Sequence, residues 1–72
     1  MNYLYLISNG IKRLRNTLGL TQEEFSSKID MSTQGLRNIE QMKYQPTADT
    51  IDKICSTFRI SPFDLLMESI FY

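Results

Sequence analysis

Apolar residues recur along this chain at alternating steps of three and four. Leu4, Ile7, Ile11, Leu14 and Leu18 form one such row, the face of a helix running from residue 2 or 3 to residue 18. Gly19 is placed to end it. Asn9-Gly10 is also a turn signal, so a shorter helix starting after Ser8 or Asn9 is the competing reading. A second helix is expected over residues 21–29 and a third over 32–41. Pro46 then breaks the chain, and Thr47 caps a fourth helix whose apolar face is Ile51, Ile54, Cys55 and Phe58. Ser61-Pro62-Phe63-Asp64 supplies an N-cap, a proline at the first helical position and an acidic residue at N3. Ile60 and Leu65 flank that start, and a fifth helix runs on towards Ile70. With no strand signal, repeat or linker, residues 1–72 read as a single all-α domain.

The most specific stretch lies between Leu20 and Pro46, LTQEEFSSKIDMSTQGLRNIEQMKYQP. Thr21 followed three residues later by Glu24 is a capping box, with Leu20 and Phe25 at the hydrophobic-staple positions. After the short turn Ile29-Asp30-Met31, Ser32 caps the next helix, and Met31 and Leu36 repeat the staple spacing. A helix of about eight residues, a tight turn and a second short helix make a helix-turn-helix unit, expected over residues 21–41.

Composition narrows the class. The chain has 42% apolar and 22% charged residues, the balance of an ordinary globular domain. No apolar run approaches the ~20 residues needed to cross a bilayer, and the start MNYLYLISNG lacks the features of a secretory signal. One cysteine excludes an internal disulfide, so a reducing cytoplasm is the expected setting. Eight basic and eight acidic residues cancel, and the pI is 6.1. Residues 12–43 hold six basic groups against four acidic ones, and residues 44–72 reverse the sign, with two against four. Non-specific DNA affinity grows with the phosphates neutralised, so such a chain should bind DNA weakly by charge alone.

Five motifs together carry a family resemblance. They are I-K-x-L-R in the first helix, L-T-Q-E-E-F at the second, S-x-x-x-L-x-x-I-E in the third, K-Y-x-P after it and I-S-P-x-D-L-L at the fifth. From about Ile11 to Leu66 the chain resembles the Cro/cI-type helix-turn-helix family, often called the xenobiotic-response-element type. The resemblance implies a compact five-helix repressor-like fold, binding of double-stranded operator DNA through the third helix, and commonly a homodimer. Thr33, Gln34 and Asn38 match positions from which the family touches base edges. Arg37 shares their outward face, because Leu36 and Ile39 point inward. Gln and Asn can pair bidentately with adenine, Arg with guanine, and Thr can meet a thymine methyl. The alternative is that these are solvated polar residues. Gln22, at the start of the second helix, matches a glutamine that often meets a phosphate; a solvated side chain beside the cap is the other reading. Lys43 is a candidate phosphate contact. Arg15 and Glu40 match an ion pair that orients the recognition helix, so Arg15 is expected to be structural rather than a DNA ligand.

Three positions depart from the family pattern. Asp30 and Met42 stand where glycine is usual, and Gly35 leaves a notch on or near the contact face. Tyr3, Tyr5, Met67, Ile70, Phe71 and Tyr72 add apolar bulk at the two ends, which either packs internally or forms a protein interface. Cys55 on an apolar stripe reads as a small core residue.

Enzyme chemistry has no support. There is no histidine, the single cysteine offers no zinc cluster, and the glycines lack phosphate-loop spacing. No metal, cofactor or small-molecule ligand is implied. Two functions follow. One is a small transcriptional regulator acting through the third helix, for which resemblance and size imply a phage-like genetic switch as the setting. The other is an anti-repressor that docks on a partner repressor's DNA-binding domain, motivated by zero net charge, the Gly35 notch, the apolar ends and the acids Glu23, Glu24 and Asp30 near the second helix, which could complement a basic face.

Overall fold

The computed structural model describes the backbone of residues 3–71 and the side chains of residues 4–67. All five expected helices are present: α1 (Tyr3–Thr17), α2 (Gln22–Lys28), α3 (Thr33–Glu40), α4 (Ala48–Phe58) and α5 (Pro62–Phe71). No strand occurs among the described residues, and no helix there is long and apolar enough to cross a membrane.

The core draws on every helix. Ile7, Ile11 and Leu14 of α1 meet Phe25 and Ile29, Leu36 and Ile39 of α3, Ile54 of α4 and Leu65 of α5. Phe25 stacks on Phe58 with ring centroids 5.0 Å apart, joining α2 to α4. Each of these buried side chains contributes about 1.5–3 kcal/mol through the apolar surface it removes from water. Leu18 departs from the expected apolar face. It follows the last residue of α1 and is 46% exposed, because the chain has already turned away from the core there.

α1 runs through Asn9-Gly10 without a break, and α5 supplies the reason. A Cβ on Gly10 would overlap the Leu65 carbonyl oxygen and lie 2.8 Å from the carbonyl carbon. Gly10 is thus a close-approach residue and not a turn. Near it, Ser8 is fully buried, and its hydroxyl has no hydrogen-bond partner among the described residues.

Four helices end in the same way. After α1, α2, α3 and α4, an amide reaches back five residues: Leu20 to Arg15, Met31 to Ser26, Lys43 to Asn38 and Ile60 to Cys55, at 2.9–3.1 Å. This is the Schellman closure, and it requires a left-handed residue just before that amide. Gly19 fills the position after α1, but Asp30, Met42 and Arg59 fill the other three at φ of 54–61°. Met42 and Arg59 carry the steric cost of that conformation with no glycine to relieve it.

Candidate nucleic-acid interface

The α2–α3 unit is built from its caps. Thr21 Oγ1 accepts from the Glu24 amide at 3.0 Å, and the Glu24 carboxylate accepts from the Thr21 amide at 2.9 Å, so both halves of the capping box are made. Hydrogen bonding from Thr21, first from its backbone amide and then from its side chain, holds the Glu24 carboxyl below its ordinary pKa. Ser32 caps α3 by accepting from the Gly35 amide at 3.0 Å. Between the helices, the buried Ser26 hydroxyl donates to the Glu23 carbonyl at 3.1 Å and lies 3.2 Å from Thr33 Oγ1. With the one Ser26 proton committed to Glu23, Thr33 is the donor in the second bond. Thr33 therefore ties the first turn of α3 to α2.

Arg15 and Glu40 meet as expected. The guanidinium donates to both carboxylate oxygens, at 2.7 and 2.9 Å, and spends a third bond on the Leu20 carbonyl at 2.9 Å. The side chains are only 13% and 3% exposed. The hydrogen bond to Glu40 is the main cause that raises the Arg15 pKa, so its charge is permanent. A buried bidentate pair of this kind sets angles between helices more than it adds net stability.

The pair continues as a chain of side-chain bonds. Gln22 Nε2 donates to Glu40 Oε1 at 3.2 Å, and Gln22 Oε1 accepts from Arg37 Nε at 3.2 Å. Arg37 Nη1 donates to Gln34 Oε1 at 3.2 Å, and Gln34 Nε2 donates to Asn38 Oδ1 at 3.0 Å. Arg37 Nη2 also lies 3.8 Å from Glu23, an exposed pairing of little energetic weight.

The structure thus brings Gln22, Gln34, Arg37 and Asn38 together in one polar face, with Thr33 at its edge. Lys43 stands apart from this network, exposed in the loop after α3. Gln22 turns both ends of its amide towards α3, where the sequence alone suggested a group held out to a phosphate. The Gly35 notch also opens elsewhere than expected. A Cβ there would meet Ser32 Oγ at 3.0 Å and Met31 Cγ at 3.6 Å, so the gap faces the inter-helix turn. Sequence reading missed Ser26. Its partner Thr33 lies 7 positions away on another helix, with no local spacing to reveal it.

At the chain ends, Tyr5 is half-buried while Phe63 and Met67 are 68% and 38% exposed, one helical turn apart on α5. The side chains of Tyr3, Ile70, Phe71 and Tyr72 lie outside the described residues. Cys55 is half-buried beside the core. Burial first, then Asp52 and Asp64, pushes its thiol pKa up and makes it a poor nucleophile. No group of three or more His, Cys, Asp or Glu among the described residues is placed to hold a metal ion.

Comparison with known proteins agrees with this architecture. The helix-turn-helix family pattern matches residues 11–65, from the middle of α1 into α5. The chain belongs to this Cro/cI-type helix-turn-helix family. The helix-turn-helix protein is 35% identical over 63 residues to "Antitoxin PezA" of Streptococcus pneumoniae, a match covering 88% of this chain and 40% of that protein. It is 30% identical over 66 residues to "Uncharacterized HTH-type transcriptional regulator y4dJ" of Sinorhizobium fredii, covering 92% and 86% respectively. The helix-turn-helix chain therefore spans less than half the length of the first relative and most of the second. No solved structure gives a significant match.

Proposed function

We propose that this protein is a sequence-specific transcriptional regulator that binds an operator as a homodimer, with α3 in the major groove. The observation that carries the reading is the single polar face formed by Gln34, Arg37 and Asn38, held at a set angle by the Arg15–Glu40 pair. A second helix so presented is the form in which helix-turn-helix domains approach base edges. Phe63 and Met67, exposed on α5, supply apolar surface for the second subunit. The setting we infer is a phage-like switch in which two regulators share one control region.

The test is a titration onto labelled duplex from the genomic neighbourhood, at low and physiological salt, with and without the neighbouring repressor. Binding that survives physiological salt and collapses in the Gln34→Ala, Asn38→Ala double variant supports the operator reading. Failure to bind any duplex alone, with release of a repressor already on DNA, would replace it with the anti-repressor reading. That second reading draws on zero net charge and on the exposed acids Glu23 and Glu24 of α2 and Asp30 of the turn after it, which complement a basic DNA-binding face.

A further inference from the structure

The amide oxygens of the α3 face are already bonded. Gln22 Oε1 and Gln34 Oε1 each hold a proton of Arg37, and Asn38 Oδ1 holds one from Gln34. The N–H groups are in the opposite condition. Among the described residues, the Asn38 amide nitrogen has no acceptor, and Gln34 Nε2 uses one of its two hydrogens. Arg37 adds a positive charge whose nearest carboxylate, that of the exposed Glu23, is 3.8 Å away.

A base edge approaching this face therefore meets donors. Guanine presents two acceptors there, N7 and O6, whereas adenine presents one acceptor and the N6 amino donor. To read adenine, a single amide must offer an N–H and an oxygen together. Each oxygen keeps a second lone pair. The first bond has already oriented the amide plane, however, and re-aiming it for adenine breaks that bond. Guanine needs no such change.

We propose that α3 selects guanine over adenine at the bases it reads, and that Arg37 sets this preference by occupying the side-chain oxygens of Gln22 and Gln34. The inference rests on the operator-binding reading and says what that operator contains. Arg37 is a specificity-determining residue in two ways. It offers guanine its own N–H groups, and it denies adenine the Gln34 oxygen.

Selection of bound duplexes from a randomised library, at one fixed salt concentration, tests it. The positions under α3 are those whose base preference changes in Gln34→Ala and Asn38→Ala. In the unaltered protein these positions should be enriched in guanine. Replacing that guanine by 7-deazaguanine in the best duplex, which removes the N7 acceptor, should weaken binding roughly 5- to 150-fold. Arg37→Ala releases the Gln34 oxygen and should move the neighbouring position towards adenine. Arg37→Lys keeps the charge without the planar fork and should move it the same way. A circular-dichroism melt confirms that each variant is folded. Adenine enrichment at these positions in the unaltered protein would overturn the proposal while leaving operator binding intact. So would an unchanged base preference in both Arg37 variants. If no sequence is enriched at all, the operator reading falls and the proposal with it.

Discussion

α1 joins its neighbours at two places five residues apart, by opposite means. At Gly10 it meets α5 through the lack of a side chain, so the Leu65 backbone comes as close as a helix surface permits. At Arg15 it meets α3 through one of the longest side chains, with two charged hydrogen bonds to Glu40. The first joint is a close approach of backbone to backbone and fixes a distance. The second is directional and fixes an angle, and only the second leads on to the candidate DNA face. A small domain can thus set the spacing of its helices at one joint and their angle at another.

Substitutions at the two joints test that division. Arg15→Ala should have the largest effect, about 3 kcal/mol of stability in urea titration, because it leaves a buried carboxylate with Gln22 as its remaining partner. Arg15→Lys should recover part of that stability but not DNA affinity, since it keeps the charge and loses the fork. Gly10→Ala comes next. In an exposed helix this change gains up to about 1 kcal/mol. Here α5 must shift, and an overpacking cost of about 2 kcal/mol should lower the melting temperature by about 10 °C. If Gly10→Ala instead raises the melting temperature, the close approach of α5 is wrong. Ser8→Ala should act in the other direction. Removing a buried hydroxyl with no partner among the described residues should add about 1 kcal/mol in the same titration. The smallest expected change is Met42→Gly. Relief of the left-handed strain, less the greater flexibility of the unfolded chain, should leave a gain of about 0.5 kcal/mol.

The helices were legible because their signals are local. Thr21 with Glu24, Ser32, Thr47 and Ser61 with Asp64 each cap a helix within three or four residues, and each makes the bond its spacing implies. Gly10 was ambiguous because its partner, Leu65, is distant in sequence; only the packed chain shows that the missing side chain serves a contact. Leu18 fits the row of apolar positions, but the helix stops before that row can bury it. Asp30 and Met42 stood out as missing glycines, and both adopt the left-handed conformation that glycine would have eased. Arg59 does the same with no warning in the sequence. At the candidate site, the family positions Gln22, Gln34 and Asn38 fall on one polar face together with Arg37. The bonds among Gln22, Arg37 and Gln34 depend on how α2 and α3 pack, which no spacing along the chain encodes.

The chain of bonds that starts at the Leu20 carbonyl and ends at Asn38 passes through three helices, and it has a consequence best put in the language of genetics. Alleles that change which operator is tolerated should not be confined to α3. Changes at Arg15, Gln22 or Glu40 would release or re-aim Arg37 without touching a base, and so alter the sequence preference from behind. Second-site suppressors of such alleles should then fall along the same line of side chains rather than scatter over the surface.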